Sequence, residues 1–104
     1  MPAYFMLDML EVVEPQKLAE YRQVVLATVE RYGGRYLTVG GDTDVLEGRW
    51  RPVFPVLIEF PSLEQARRWY DSDEYRGPKA LRLAATRGNA VFIEGKAFAG
   101  QADG

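Results

Sequence analysis

The spacing of apolar residues along this chain changes several times, and each change marks a predicted element. Residues 4–13, YFMLDMLEVV, are rich in apolar and β-favouring types and stop at Glu14-Pro15, as a first strand would. Pro15 suits the first turn of a helix, where its missing N–H has no partner to lose. Leu18, Tyr21, Val25, Val29 and Tyr32 then recur three and four apart, one apolar stripe along a helix that Gly33-Gly34 stops. A second strand is expected over Arg35–Val39. Residues 45–50, VLEGRW, read as a short ribbon or hairpin arm bent at Gly48. A third strand spans Val53–Phe60, and Pro55 within it argues for an edge or an irregular start. Ser62-Leu63-Glu64-Gln65 matches the S-x-x-Q capping box and opens a second helix, which breaks near Asp71-Ser72-Asp73. Another helical stretch is expected from Pro78 to Arg87 before Gly88, and a last strand over Asn89–Glu94. The tail 97–104 has little to bury and is expected to be mobile, leaving residues 1–96 as one domain.

The order β-α-β-β-α-β predicts an α+β fold, a ferredoxin-like sandwich with an antiparallel sheet and both helices on one face. Each strand has one wholly apolar register and one mixed register. The apolar set is Phe5, Leu7 and Met9; Leu37 and Val39; Phe54, Val56, Ile58 and Phe60; Val91 and Ile93. It is assigned to the helices. The mixed set is Tyr4, Met6, Asp8 and Leu10; Tyr36 and Thr38; Val53, Leu57 and Glu59; Ala90, Phe92 and Glu94. That face is too apolar for open water yet carries carboxylates, so a partner sheet is expected to cover it. The predicted unit is a homodimer with a polar-lined cavity for a small, apolar or aromatic molecule between the two sheets.

Composition narrows the chemistry. Thirteen basic against fifteen acidic side chains give a net charge of −2, without the strong positive field of a nucleic-acid binder. No apolar run approaches the roughly 20 residues of a membrane span, and the start has no basic segment of a signal peptide. A cytoplasmic protein, away from membranes, is expected. The chain has neither cysteine nor histidine, which excludes disulfides, thiolate nucleophiles, His-ligated metals and Ser-His-Asp triads. A catalytic acid or base would have to be Asp, Glu, Lys or Tyr. The acidic residues show no Ca²⁺-loop spacing, and neither metal nor cofactor is expected.

A set of segments resembles the family catalogued as domain of unknown function 1330. These are Tyr21, Tyr32-Gly33-Gly34-Arg35, Leu46-Glu47-Gly48 with Trp50, Ile58-Glu59-Phe60-Pro61-Ser62, Ala66, Trp69-Tyr70, Ser72, Glu74-Tyr75, Arg82 and Glu94-Gly95. The resemblance runs from about Tyr4 to Gly95, and its segments are specific in combination and in order. It implies a dimeric α/β-barrel of ferredoxin-like protomers and no settled activity. The broader fold group includes cofactor-free monooxygenases, haem-degrading enzymes, isomerases and proteins that only bind, and fold does not choose among them. Where such members usually have Asp before the Pro that opens the first helix, this chain has Glu14, and no role for Asp8 is carried over.

Candidate residues follow from the mixed face. Glu59 is a candidate general base, against a structural carboxylate paired with Arg82 or another arginine. Glu47 could reach over a pocket mouth or fix its own turn through backbone N–H groups. Asp8 could face the ligand or simply a rim. Arg82 could hold a substrate carboxylate or pair internally with Glu59 or Glu74. Tyr36 could donate to a ligand, whereas Tyr21 belongs to the helical stripe. Trp50 could wall the pocket or enter the dimer seam. In the stretch ARRWYDSDEYRGPKALR, residues 66–82, Ala66, Trp69 and Tyr70 share one helical face, and Asp71, Asp73 and Glu74 dilute the positive charge. That stretch is expected to be mainly a packing and dimer element, with Tyr75 and Arg82 turned toward the cavity. An enzyme using acid/base or cofactor-free oxygen chemistry, a ligand carrier, and a homodimer with a filled interface remain as readings. They separate on whether a void lined by Asp8, Glu59 and Tyr36 exists.

Overall fold

In the computed structural model, residues 1–101 are described, so residues 102–104 of the tail expected to be mobile lie outside the description. The first alternation folds as β1, Ala3–Val12, with Ala3, Phe5, Leu7 and Met9 buried under the helices. Helix α1, Pro15–Arg31, starts at Pro15 without a side-chain cap, because Glu14 instead meets Lys17 at 3.4 Å. Its stripe buries Leu18, Tyr21, Val25 and Val29. The chain leaves the helix through Gly33, at φ +80°, and through Gly34, where a Cβ would collide with Phe60 and Val29. Strands β2, Arg35–Val39, and β3, Pro55–Phe60, follow. Helix α2, Leu63–Tyr70, is capped by Ser62, whose hydroxyl accepts from Gln65 N–H at 3.1 Å. Helix α3 spans Asp73–Ala85 and β4 spans Thr86–Glu94.

The strands form one antiparallel sheet in the order β2-β3-β1-β4, the ferredoxin-like arrangement. Phe5 stands opposite Ile58 on one side and Phe92 on the other. Helix α1 lies mainly along α3, and α2 makes most of the close approaches to the strands. Trp69, Tyr75, Phe5, Phe60, Ile58 and Val29 fill the centre of the core between the layers. No helix of the described residues is long and apolar enough to cross a membrane.

Several expectations are corrected. The third helical stretch, α3, begins at Asp73 and not at Pro78, and ends at Ala85. Ser72 caps it by accepting from Tyr75 N–H at 3.1 Å, and Asp73 and Glu74 suit its positive N-terminal end. Pro78 sits inside and forgoes one hydrogen bond. Gly88 does not stop a helix: it lies in β4, opposite Met9, where a Cβ would run into the Asp8 carbonyl oxygen. Residues 45–50 are exposed and irregular, bent at 47–49, and form no strand. Strand β3 lies between β2 and β1 and is no edge. Pro55 is its first residue, and its carbonyl accepts from Gly40 N–H at 2.7 Å.

The register of the two edge strands also departs from the expectation. Tyr36 faces the core opposite Ile58, and Phe92 does so opposite Phe5, whereas Leu37, Val91 and Ile93 are exposed. A register shift between Tyr36 and Thr38 then returns Val39 to the side of Val56. In β4 large apolar residues fall on both alternations, Phe92 on one and Val91 and Ile93 on the other, and pairing with β1 decides which faces the core. The uncovered face of the sheet therefore presents Tyr4, Met6, Asp8, Leu57, Glu59, Val91 and Ile93.

Candidate functional site

The expected site residues divide between the two faces of the sheet. On the open face, Asp8 is buried and all its contacts hold the loop before β3. Its Oδ1 accepts from Val53 N–H at 3.0 Å and Phe54 N–H at 2.9 Å, and its Oδ2 accepts from Trp50 Nε1 at 3.2 Å. Trp50 is thereby laid beside Met6 and Val91 while half of it stays exposed. Glu59 pairs with Arg35, whose Nε donates to its Oε1 at 2.9 Å, and not with Arg82. Glu47 stands in the exposed bend 47–49. Asp8 lies opposite Pro55 and Glu59 opposite Tyr4, at different ends of this face. Tyr36 is on the other face, so Asp8, Glu59 and Tyr36 do not line one void within the chain.

On the helix side the structure brings Tyr21, Tyr36, Tyr75 and Arg82 into one neighbourhood. The Tyr21 and Tyr75 hydroxyls are hydrogen-bonded at 2.9 Å, and Arg82 Nε donates to the Tyr75 oxygen at 3.2 Å. Trp69 lies 4.1 Å, centroid to centroid, from the Tyr75 ring, and its Nε1 donates to Thr28 Oγ1 at 3.0 Å. The aromatic and basic stretch 66–82 thus serves packing, as its spacing predicts. Arg82 is buried without an ion pair among the described residues. Its expected partner Glu74 instead accepts from the Tyr32 hydroxyl at 2.9 Å and pairs with Arg31 at 2.6 Å. Burial, with Tyr75 beside it, pushes the Tyr21 phenol far above its ordinary pKa, and burial pushes Tyr36 up to about 12. Both are therefore neutral hydrogen-bonding groups at physiological pH.

Because α1 leans on α3, the space between α1 and the sheet is only partly filled, leaving an open-mouthed cavity of about 290 Å³. Phe5, Leu7, Val56 and Ile58 form its sheet side, and Leu18 and Val25 its helix side. Tyr21 and Tyr36 contribute the phenols of the wall, and Arg22, over the Phe54 ring at 5.6 Å, stands at the exposed rim. Tyr36 makes none of the hydrogen bonds of the Tyr21-Tyr75-Arg82 chain. No carboxylate lines this cavity. The described residues hold no group of three Asp or Glu side chains placed to bind a metal. Sequence reasoning named Tyr36 but put it on the other face, and it passed over Arg22. The one available signal for Arg22 was its position directly after the buried stripe residue Tyr21.

Fold and cavity together define a ferredoxin-like α+β protein with an apolar recess between its sheet and its first helix. The chain belongs to the family described as Domain of unknown function (DUF1330), whose sequence profile matches residues 2–96. Among solved structures it is similar to methylated RPA0582 and to RPA0582, the latter described as a protein of unknown function from Rhodopseudomonas palustris. The match to the methylated protein has 18% identity and a TM-score of 0.72, covering 96% of this chain and 84% of the other. It is also similar in fold to SnoaB, a cofactor-independent oxygenase from Streptomyces nogalater, at 11% identity and a TM-score of 0.55, covering 96% of each chain. No curated protein sequence matches.

Proposed function

We propose that the cavity between α1 and the sheet binds a small neutral aromatic molecule whose oxygen accepts a hydrogen bond from Tyr36. The observation that carries this reading is the lining: an apolar recess near the lower end of the usual size for ligand sites, with phenols in its wall and no charge inside its rim. A cavity of this kind selects flat, uncharged rings, since a charged ligand would lose its hydration without a counter-charge. The likeness in fold to SnoaB supports cofactor-free oxygenation as the chemistry. Without a cofactor the substrate itself must reduce O₂: 1-naphthol would become a naphthoquinone, one oxygen atom entering the ring at the carbon para to its hydroxyl and the other leaving as water with that carbon's hydrogen and the hydroxyl hydrogen. The absence of a carboxylate base in the recess favours a second reading, a carrier that binds without turnover.

We also propose that the chain works as a cytoplasmic homodimer joined through the open sheet face. Met6, Leu57, Val91 and Ile93 make that face apolar, and a second copy would cover it. In such a dimer Asp8, Trp50 and the Glu59–Arg35 pair would lie at the seam, and Glu59 and Glu47 would be the acid/base groups a seam cavity could use.

Calorimetry with naphthol tests the first proposal. Saturable binding is expected, weakened about tenfold by Tyr36→Phe, which removes one hydrogen bond. Val25→Phe, which fills the recess, should abolish it. Oxygen uptake on adding naphthol would select the oxygenase reading, and binding without uptake the carrier. Naphthol binding untouched by Val25→Phe would overturn the assignment of the cavity. Native mass spectrometry tests the second: a dimer that Val91→Lys converts to monomer is expected, and a wild-type monomer would sink it.

A further inference from the structure

A second cleft, of about 370 Å³, opens beside the edge strand β4, between it and α3. Leu7, Tyr70, Leu83 and Ala90 form apolar parts of its wall, and Arg82 lies in that wall with Arg87 beside it. No Asp or Glu lines it.

Arg82 is 4% exposed, and its partners are few. Its Nε donates to the Tyr75 hydroxyl at 3.2 Å, and its guanidinium lies 5.9 Å from the centroid of the Phe5 ring. Its Nη2 is buried with no hydrogen-bond partner, the one such side-chain atom among the described residues. None of the ion pairs formed by the described residues includes Arg82. A phenol oxygen, a ring face and the carbonyl end of α3 soften the cost of burying this charge, but none supplies a negative charge. Removing the counter-charge from a buried cation is strongly destabilising, and for packing alone an apolar residue of similar volume would serve better. The guanidinium therefore has an unmet need in a place that a small ligand can reach.

We propose that this cleft binds the carboxylate of a small organic acid, with Arg82 as the anion-binding residue. Three features specify that class. A single buried monocation is balanced by a single monoanion. The planar edge left to Arg82 once Nε is bonded to Tyr75 matches the two oxygens of a carboxylate. The apolar side chains of Leu7, Leu83 and Ala90 offer contact to a hydrocarbon or ring rather than to a second charged group. Arg87, exposed in the cleft wall, adds attraction for an approaching anion. The cleft shares Leu7 with the recess under α1, but Arg82 and Arg87 do not line that recess, and neither proposal needs the other.

The test is titration of the full chain with benzoate and with benzamide, its uncharged counterpart, followed by calorimetry and by the Nε–H resonance of Arg82. Saturable benzoate binding that shifts this resonance is expected, with benzamide at least about tenfold weaker, as loss of a charge-assisted pair implies. Arg82→Met should abolish benzoate binding. Should that variant fail to fold, Arg82→Lys, which keeps the charge but loses the planar fork, should weaken binding about tenfold. Val25→Phe should leave benzoate binding intact, which separates this site from the recess under α1. No benzoate binding at millimolar concentration, equal affinity for benzamide, binding indifferent to the Arg82 variant that folds, or loss of binding in Val25→Phe would each overturn the proposal.

Discussion

Asp8 and Arg82 are buried to the same degree, one on each face of the sheet, and they carry opposite charges with opposite fates. Asp8 has three donors on its two oxygens, two backbone and one indole. Arg82 has one phenol and an unfilled nitrogen. Burial is therefore no guide to function here, whereas the count of satisfied hydrogen bonds is. The carboxylate is a fastening for the segment Trp50–Phe54, and the guanidinium is a group still waiting for a partner.

The largest effect is expected from removing the satisfied charge. Asp8→Ala should destabilise the fold by about 3 kcal/mol, because two backbone N–H groups and the Trp50 indole lose a charged acceptor. Chemical denaturation measures it, and a loss under about 1 kcal/mol would show that water replaces the carboxylate freely.

Alkaline pH probes the tyrosines beside Arg82. Burial raises Tyr21 and Tyr36 in the folded state, so the folded chain holds protons that the unfolded chain releases near the ordinary phenol value of 10.0. Stability from these two groups is complete below about pH 10. It then falls by about 1.4 kcal/mol per pH unit for each, up to its folded value, about 12 for Tyr36. Tyrosinate absorbance against pH, with urea melts at matching pH, checks this: Tyr21 and Tyr36 should ionise late. Uniform ionisation near pH 10 would contradict the buried cluster.

Tyr75→Phe sharpens the contrast from the other side, since it takes away the hydrogen bonds of both Tyr21 and Arg82 at once. A loss of about 2 kcal/mol is expected, measured by urea unfolding. In an Arg82→Met background the same change should cost less, because one of the two stranded partners is then absent. Trp50→Phe should have the smallest effect, about 0.5 kcal/mol: its ring is 59% exposed and its single bond to Asp8 is backed by two others. A larger loss would mean that the indole, and not the backbone, anchors the loop.

Much of the fold was legible in the chain. The α1 stripe, the Ser62 capping box and the strands around Met6 and Ile58 rest on local rules, periodicity and side-chain-to-backbone bonding, which need no knowledge of the rest of the molecule. The site was less legible. Tyr36 was picked out as a donor but assigned to the wrong face, because the register shift in β2 makes simple alternation misleading. Glu59 and Arg82 looked complementary, yet they lie on opposite faces, and the nearer Arg35 takes the carboxylate. The recess under α1 depends on how far that helix stands from the sheet, a distance that no spacing in the sequence encodes.

The sequence by itself determined the order of elements, the family, and the absence of cysteine and histidine chemistry, since each depends on residue identity and short-range pattern. Only the tertiary structure decided which face Tyr36 and Phe92 occupy, which charges meet, and that Arg82 is left without a carboxylate. The physical reason is one of range. Helix stripes and caps are settled within a few residues, whereas strand register and the pairing of buried charges are settled by segments far apart in the chain competing for the same space.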